Sequence, residues 1–469
     1  MSETNFYTSK PFNILWLVLD CARFDRISAH GYERSTTPFL DQLIHEGIDY
    51  THAYSAAIWS LPSYTSLLTG TYPRKHGVNV SGRKLSSHIP TLAQCLASHG
   101  YRTACFSNNA WLSPHFGLDR GFQRFDQMWF SAQKSIWDKS KFLADKAWGA
   151  LKGEMDKGAR RTGRRLHKWI KEAPSQPYFA FVSYIEPHAP HALYRKWTSL
   201  LARGHNRYRW TEDYSSSMWV KSLPARHEFT EEQLQDINLR YDTEMRYIDN
   251  QLEKLFEKLQ QDGLLKNTLV IITADHGELL GEHGMLGHQF SVLEPLRHVP
   301  LILWGPDILP RGEKVDDLVQ TLDIPNTLCR WGGMPWPEDD GQYLLPIKSG
   351  EGRRESVITD YPEPYLEAVR RKYPQVDLSA ISVGLTAVSD HRYKLVTTSD
   401  GKIWGYDLEE DPQEENPIKM EKDAIDPAFM PLYQEWKKYK ETIAPETVEA
   451  ASEVDDDLVD HLRALGYLD

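Results

Sequence analysis

The sequence predicts an α/β protein with a doubly wound, mainly parallel sheet that is flanked by helices. Residues 12–20, FNILWLVLD, form a nearly continuous apolar run, which is typical of a strand buried on both faces of a parallel sheet. Residues 36–55 and 89–107 each contain a helical segment followed by a strand, and Gly100 ends the second helix. Helices that alternate with strands in this way favour a doubly wound sheet.

Three further apolar runs are predicted as buried strands: residues 178–188, 267–278 and 299–306. Between the first two lies a long amphipathic segment, which predicts a helix that ends near Gly263. Several of these runs stop at polar residues, and the carboxyl ends of parallel strands meet at one edge of a sheet. We therefore expect at least four strands to bring polar side chains to the same edge.

The last part of the chain has a different pattern. After about residue 375, short β-type runs are separated by SD and SDG turns, which predicts a small antiparallel sheet. Residues 453–469 predict a terminal helix that packs through Leu458, Leu462 and Leu465. We expect a catalytic α/β domain at residues 1–375 and a small α+β subdomain at residues 376–469.

Composition and charge exclude several classes of function. The 469-residue chain carries a formal net charge of −12, so its field repels polyanions and we expect no nucleic-acid partner. The basic cluster at residues 157–171 is interpreted as a solvated helix face, with contact to an acidic surface as the alternative. The four cysteines show no paired short spacing, which argues against a disulfide framework and a zinc ribbon.

The N-terminal residues lack the basic and apolar regions of a signal peptide, and no run of about 18 apolar residues occurs in the sequence. We therefore expect a cytoplasmic protein without an integral membrane segment. The oligomeric state stays open, with a homo-oligomer among the alternatives.

Four polar residues at predicted strand and helix ends are candidates for chemistry. Asp20 ends the first strand, Asp275 and His276 end another, and Ser60 begins a helix. Carboxylates, an imidazole and a hydroxyl together form a reasonable divalent-metal site. Each residue alone is explained as well by a structural role such as a helix cap, but their convergence at one sheet edge favours the metal site.

Residues 60–70, SLPSYTSLLTG, match the motif (Cys/Ser/Thr)-x-Pro-Ser-x-x-x-Leu-x-Thr-Gly. On this motif the chain resembles the sulfatase branch of the alkaline phosphatase superfamily, from about residue 12 to residue 418. Other blocks of that family follow in the expected order: GTYPRKHGV, GYRTACFSNN, GLDRGFQRFD, EPHAPH, TADHGELLGEHG, RHVPLIL and GYDLEEDPQEENP.

The resemblance implies a role for each matching residue. Ser60 takes the position of the nucleophile, at a helix N-terminus that favours an anion. The implied ligands of one divalent metal ion are Asp20, Asp275, His276 and the Ser60 oxygen. His188 of EPHAPH matches a histidine that contacts the scissile group or the leaving oxygen.

Two further histidines have weaker parallels in the family. His288 stands where many sulfatases have a lysine, and would serve as a second cation or general acid. His283 is interpreted as an orienting or structural residue.

Three departures from the family pattern affect the chemistry. Tyr64 replaces the arginine that assists conversion of the nucleophile to formylglycine, so Ser60 can be either a plain serine or its formylglycine derivative. Cys21 replaces a second acid, which shifts the expected metal ion from calcium towards manganese or zinc. Asn108 lies near the position of the family's lysine, and Ala110 near that of a histidine.

The sequence leaves three functions open. The first is a metal-dependent sulfuric ester hydrolase acting on a small-molecule or carbohydrate ester. The second is a phosphodiesterase, phosphonate monoester hydrolase or phosphotransferase with an unmodified Ser60. The third is a non-catalytic binding protein on the same fold. A phosphate monoester is the least favoured substrate, because its nearly double charge requires more cations than one metal ion and two histidines supply.

The leaving-group pocket is expected in loops at residues 127–170 and 190–225, which are rich in Trp, Arg and Tyr. The serines within residues 213–219 are interpreted as surface residues, because they lack a strand–turn–helix context.

Overall fold

A computed structural model describes residues 11–79, 83–128, 156–192, 194–202, 228–337, 340–344, 353–362, 364, 366, 370, 374, 378–442 and 449–450. The predicted terminal helix at residues 453–469 and the serine cluster at residues 213–219 lie outside these ranges. So does most of the two loops that are expected to shape the leaving-group pocket.

The strands of the described chain have the following bounds: β1 Asn13–Leu19, β2 Ile48–Tyr54, β3 Arg83–Lys84, β4 Arg102–Ser107, β5 Arg124–Gln127, β6 Tyr178–Tyr184, β7 Thr268–Thr273, β8 Leu279–Leu280, β9 Leu286–Gly287, β10 Leu301–Trp304, β11 Glu313–Gln320, β12 Val357–Tyr361, β13 Leu385–Ser389, β14 Tyr393–Thr398, β15 Ile403–Asp407, β16 Ile418–Met420 and β17 Glu449–Ala450.

The α-helices have the following bounds: α1 Pro38–Glu46, α2 Ser60–Thr69, α3 Pro73–His76, α4 Leu92–Ser98, α5 Ala159–Glu172, α6 Arg195–Leu201, α7 Glu231–Gln261, α8 Glu294–Arg297, α9 Asp323–Trp331 and α10 Met430–Thr442. Short 3₁₀ helices lie at Phe24–Arg26, Ser28–His30, Pro114–Phe116, Glu282–Gly284, Ser379–Ile381 and Pro427–Phe429.

Eight strands form the large sheet, in the order β11-β2-β10-β7-β1-β6-β4-β5. Strand β1 lies in the middle and runs parallel to both β7 and β6. Strand β10 is the exception, because it runs antiparallel to β7 and β2. The predicted doubly wound, mainly parallel sheet is thus confirmed, and its antiparallel strand is the one expected at residues 299–306.

The alternation of side chains along β1 explains why helices cover both faces of the sheet. Ile14, Trp16 and Val18 join the hydrophobic core on the face covered by α2, α4 and α9. Leu15, Leu17 and Leu19 join the core on the face covered by α1, α5 and α7. A strand that is apolar on both faces requires partners on both sides, as its continuous apolar sequence predicts.

The register of the central strands aligns the loops that follow them. Val18 of β1 pairs with Thr273 of β7, and Leu19 pairs with Tyr184 of β6. Ser107 of β4 pairs with Ser183 of β6. The carboxyl ends of four parallel strands therefore lie side by side, and the polar residues after them meet at one edge of the sheet.

A second, antiparallel sheet has the order β12-β13-β14-β15-β16, and α10 packs against β13 and β14. The SD and SDG turns join β13 to β14 and β14 to β15, so the predicted C-terminal antiparallel subdomain is confirmed. Its first strand, Val357–Tyr361, precedes residue 376 in the chain. The division at residues 375 and 376 stays a prediction.

Candidate active site

Asp20 and Cys21 follow the last residue of β1. The Asp20 N–H donates to the Tyr184 carbonyl at 2.8 Å, so strand pairing continues up to this residue. Cys21 has a φ of 64°, in the left-handed region that few non-glycine residues adopt, and the chain turns sharply there. The Cys21 N–H then donates to Asp275 Oδ1 at 3.2 Å. This turn ties the end of β1 to the end of β7.

Asp275 and His276 follow β7, where close backbone packing requires a glycine next. A Cβ atom on Gly277 would lie 1.9 Å from the Pro295 carbonyl oxygen, so a larger residue cannot replace it without movement. The His276 N–H donates to Asp275 Oδ1 at 2.9 Å, and His276 Nδ1 donates to the Gly277 carbonyl at 2.8 Å. Because Nδ1 carries the proton, Nε2 of neutral His276 presents a lone pair.

Ser60 is the first residue of α2, and its hydroxyl is directed at the ends of the strands. Its Oγ lies 3.2 Å from His276 Nε2 and accepts a hydrogen bond from Asn109 Nδ2 at 3.0 Å. The preceding Trp59 is the N-cap residue, and it makes no side-chain capping bond. Ser60 therefore does not cap its own helix. Its position at the N-terminus of α2 favours negative charge on its oxygen or on a group bound there.

Asn109, after β4, is a site residue that the sequence reasoning missed. Its Nδ2 donates to both Ser60 Oγ and Asp20 Oδ2. The neighbouring Asn108, which the family pattern placed near the lysine position, instead donates to Thr162 Oγ1 at 2.9 Å. The available signal was the position of FSNN at the end of a predicted parallel strand, which did not distinguish between the two asparagines.

Tyr64, where the family has an arginine, is fully buried on α2. Its hydroxyl donates to Asp20 Oδ2 at 3.2 Å and lies 2.7 Å from Ser183 Oγ. Burial, together with the Asp20 carboxylate, raises the pKa of Tyr64 well above its ordinary value, so the phenol stays protonated. Tyr64 thus positions Asp20 with a neutral hydrogen bond instead of a positive charge.

Two buried carboxylates lie at the centre of this cluster. Burial and the Asp275 carboxylate raise the pKa of Asp20 to about 7, and burial raises the pKa of Asp275 to about 7. Asp275 Oδ2 is buried and has no hydrogen-bond partner among the described residues. An orphaned carboxylate oxygen beside a second carboxylate and an imidazole is what a divalent cation would satisfy. The predicted ligands Asp20, Asp275, His276 and Ser60 therefore lie close together and fit a metal ion.

His188 and His288 extend the cluster beyond His276. The ring centroids of His276 and His288 are 4.5 Å apart, and those of His288 and His188 are 5.0 Å apart. Cys21 Sγ lies 3.8 Å from His276 Nδ1 and 3.7 Å from His288 Nδ1. All three predicted histidines thus belong to one cluster, and Cys21, expected only as a missing acid, lies in its middle.

The three histidines differ in their affinity for a proton. Burial, with the neighbouring His288, lowers the pKa of His276 to about 4 and that of His188 well below its ordinary value. Burial also lowers the pKa of His288, but Glu278 at 3.4 Å outweighs it, so the pKa of His288 is raised. His288 is therefore the histidine of this group that takes up a proton most readily. Glu278 was not singled out in the sequence.

His283 lies elsewhere. Its Nε2 lies 2.9 Å from the Gln413 carbonyl oxygen, and it lines a cavity of about 180 Å³ together with Arg23 and Glu414. These contacts agree with its interpretation as an orienting or structural residue, which stays a prediction.

Comparisons with known proteins agree with this geometry. Residues 12–334 match the Sulfatase family model, which is more than half of the 469 residues. The chain belongs to the sulfatase family. Residues 281–441 also match the model of the N-sulphoglucosamine sulphohydrolase C-terminal region.

Individual sulfatases and related structures are distant in sequence. Arylsulfatase K of Bos taurus is 24% identical, over 86% of this chain and 77% of the relative. Choline-sulfatase of Rhizobium meliloti (strain 1021) is 24% identical, over 87% of this chain and 82% of the relative. The phosphonate monoester hydrolase of Agrobacterium radiobacter superposes with a TM-score of 0.73 at 22% identity, covering 92% of this chain and 95% of that one. The last comparison shows a shared fold.

Membership of the family confirms the expected enzyme class, a hydrolase that acts on sulfate or phosphate esters. The fold expected from the resemblance is confirmed as well. Within the part of the chain that the structure describes, each helix is too short or too polar to cross a bilayer.

We predict that Asn109→Ala lowers the kcat of this sulfatase-family enzyme by roughly 10²-fold on an activated aryl ester, since Ser60 and Asp20 lose a shared hydrogen-bond donor. The matched control is Asn108→Ala, which removes the same amide group one residue earlier. We expect this control to lower the melting temperature, because Thr162 loses its partner, while kcat changes less than in Asn109→Ala. Equal losses of kcat in the two variants would show that Asn109 has no special role.

Proposed function

We propose that this chain is a metal-dependent sulfuric ester hydrolase in which the Ser60 oxygen, or that of its formylglycine derivative, attacks sulfur. The observation that supports the proposal is the convergence at Ser60 Oγ of His276 Nε2 at 3.2 Å and Asn109 Nδ2 at 3.0 Å, beside two buried carboxylates. A nucleophile needs a group that fixes its orientation and a source of positive charge that favours its ionised form. Asn109 supplies the orientation.

The proposed metal ligands are Asp20, Asp275, His276 and the Ser60 oxygen. When bound, a divalent ion there would lower the pKa of the hydroxyl and balance the charge that develops on the transferred group. We propose manganese or zinc before calcium, since an imidazole is among the ligands and the Cys21 sulfur lies beside them.

The reaction uses the chain's own residues as follows. The Ser60 hydroxyl gives its proton to solvent as its oxygen forms a bond to sulfur in line with the leaving alcohol, whose bond to sulfur breaks, and the N-terminus of α2 stabilises the negative charge. The leaving oxygen takes a proton from His288, whose pKa Glu278 raises. Water then attacks the same sulfur, the bond between sulfur and the Ser60 oxygen breaks, and the two protons of the water go to the Ser60 oxygen and to His288 as sulfate leaves.

His188 contributes in a different way. Its Nδ1 donates to the Ala189 carbonyl, and its lowered pKa keeps the ring neutral, so its Nε2 presents a lone pair. We propose that this atom accepts a hydrogen bond from the alcohol or water on the leaving-group side. His288 is then the general acid of the pair.

The charge of the site favours a singly charged ester. His288 is the imidazole of the cluster with a raised pKa, and the nearby Arg23 guanidinium pairs with Asp25 at 2.6 Å and with Glu282 at 2.7 Å. One divalent ion and one imidazolium match a sulfate monoester. They match a phosphonate monoester or phosphate diester equally well, because each carries a single charge.

The second candidate function is therefore hydrolysis of a phosphonate monoester or phosphate diester. The observation that favours it is Tyr64, whose neutral hydroxyl contacts Asp20 where the family's arginine supports formylglycine formation. A plain serine can form and hydrolyse a covalent phosphorus ester without modification.

The first test compares an aryl sulfate with an aryl phosphonate monoester on the same purified enzyme. We expect the higher kcat/KM with the sulfate, and a loss of at least roughly 10³-fold in Ser60→Ala with either ester. The control is Ser66→Ala, which removes a hydroxyl on the same helix that forms a hydrogen bond with His76. Its kcat/KM should stay near that of the parent enzyme. A higher kcat/KM on the phosphonate, together with an unmodified residue 60 in the peptide spanning residues 35–74, would support the second candidate. Full activity of Ser60→Ala would overturn the assignment of the nucleophile.

Metal binding is tested without turnover, by titrating chelator-treated protein calorimetrically. We expect tighter binding of Mn²⁺ or Zn²⁺ than of Ca²⁺. Tyr64→Phe, which removes a hydrogen bond to Asp20, should weaken binding roughly 10-fold, and Asp275→Asn should weaken it more, since a ligand is lost. If Asp275→Asn binds the metal ion as tightly as the parent protein does, the ion binds at a different site.

The role of His288 predicts the direction of a pH shift. The titratable groups around it are Glu278, Cys21, His188 and His276, and the Asp20 and Asp275 carboxylates also raise its pKa. As a general acid it must be protonated, so activity falls as the pH rises through its pKa. Glu278→Gln removes the carboxylate that raises this pKa, and we expect the alkaline limb of the kcat profile to move to lower pH.

The control is Glu282→Gln, which removes a nearby carboxylate that pairs with Arg23. This variant should leave the alkaline limb of the kcat profile at the parent pH. If the alkaline limb does not move in Glu278→Gln, the limb reports the titration of a group other than His288.

A further inference from the structure

Two cysteines far apart in the sequence lie next to each other in the fold. Cys95 Sγ and Cys329 Sγ are 3.4 Å apart, although 234 residues separate them along the chain. Cys95 lies on α4 and Cys329 on α9, and these two helices pack against each other on one face of the large sheet. The pair lies outside the cluster around Ser60, and the function proposed above does not use it.

The two thiols are exposed to different degrees. Cys95 is half-buried, and Cys329 is fully buried. The Cys329 thiol donates a hydrogen bond to the Cys95 sulfur, which with the nearby His99 lowers the pKa of Cys95 to about 7. Near neutral pH a substantial fraction of Cys95 is therefore thiolate, the form that attacks disulfides. An accessible, acidic thiol beside a buried partner is the arrangement in which one cysteine reacts first and the second completes the reaction.

We propose that Cys95 and Cys329 form a redox-active dithiol that is modified by low-molecular-weight disulfides of the glutathione type. In the first step the Cys95 thiolate attacks the small disulfide, a mixed disulfide forms at Cys95, and one small thiolate leaves. In the second step Cys329, after losing its proton to solvent, attacks the Cys95 sulfur, so that the protein disulfide forms and the second small thiolate leaves. The protein loses two electrons and two protons, and the small disulfide is reduced to two thiols.

The required movement is small. A disulfide has a sulfur–sulfur length of about 2.05 Å, so the sulfur atoms must approach by little more than 1 Å from their 3.4 Å separation. The other two cysteines differ, because Cys21 lies among the site histidines and Cys105 is buried within β4.

The link would connect two helices that support the nucleophile. Both α4 and α9 contact α2, whose first residue is Ser60. A bond between α4 and α9 closes a long loop of chain, and such links stabilise a protein mainly by restricting its unfolded state. We therefore expect the oxidised protein to be more resistant to heat.

The proposal is tested by incubating the full-length protein with oxidised glutathione and then alkylating the remaining thiols. The intact mass should show loss of two hydrogen atoms, and peptide mapping should join the peptide of Cys95 to that of Cys329. Cys329→Ser should stop at a glutathione adduct on Cys95, and Cys95→Ser should form neither species. Cys105→Ala deletes a buried thiol elsewhere and should oxidise as the parent does.

A thermal measurement complements the mass. Oxidation should raise the apparent melting temperature by about 5 °C in the parent and in Cys105→Ala, but not in the serine variants, and dithiothreitol should reverse it. A parent protein that accumulates only the mixed disulfide, or that joins other cysteines, would refute the proposal. These measurements do not depend on ester hydrolysis, so they test the dithiol proposal independently of the proposed function.

Discussion

The arrangement of the active site depends on one constraint, the burial of two carboxylates side by side. Asp20 and Asp275 follow neighbouring parallel strands and are removed from water. Burial raises the pKa of both carboxyls to about 7, and at Asp20 the Asp275 carboxylate adds to the effect of burial. Such a pair is stable when it is protonated or when a cation lies between its members. An imidazole and a hydroxyl complete the group, and Asp275 Oδ2 lies 3.4 Å from His276 Nε2 without a hydrogen-bond partner among the described residues, so this set of side chains fits the second condition.

The surrounding fold holds this unfavourable pair in place with neutral donors. Asn109 and Tyr64 both donate to Asp20, while two backbone N–H groups donate to Asp275 Oδ1. Each donor comes from a different element, so the geometry depends on the register of the large sheet and on the packing of α2 against it. Because the donors are neutral, they fix the positions of the carboxylate oxygens without cancelling the charge that attracts a cation.

The parallel strands and the residues after them could be predicted, because a buried parallel strand has a distinctive apolar run that stops at polar residues. Asp20, Asp275 and His276 are found in this way, and Ser60 by its motif. The donor Asn109 could not be chosen, since which of Asn108 and Asn109 faces Ser60 depends on the path of the chain after β4. The acceptor Glu278 could not be chosen either, since its contact with His288 depends on how the segments after β7 fold. The direction of β10 and the meeting of Cys95 with Cys329 depend on tertiary packing, which local sequence does not encode.

Two of the three departures from the family pattern compensate each other in charge. The usual arginine is Tyr64 here, which removes a positive charge, and the usual second acid is Cys21, which removes a negative one. Burial, together with Glu278, raises the pKa of the Cys21 thiol well above its ordinary value, so this group is neutral without a metal ion. Both replacements direct a hydroxyl or thiol hydrogen at Asp20, at 3.2 Å from Tyr64 and 3.4 Å from Cys21. The two replacements thus leave the net charge of the site unchanged and exchange ionic contacts for hydrogen bonds. Tyr64 contacts Asp20, which shares the donor Asn109 with Ser60, so residue 64 alters the environment of the proposed nucleophile.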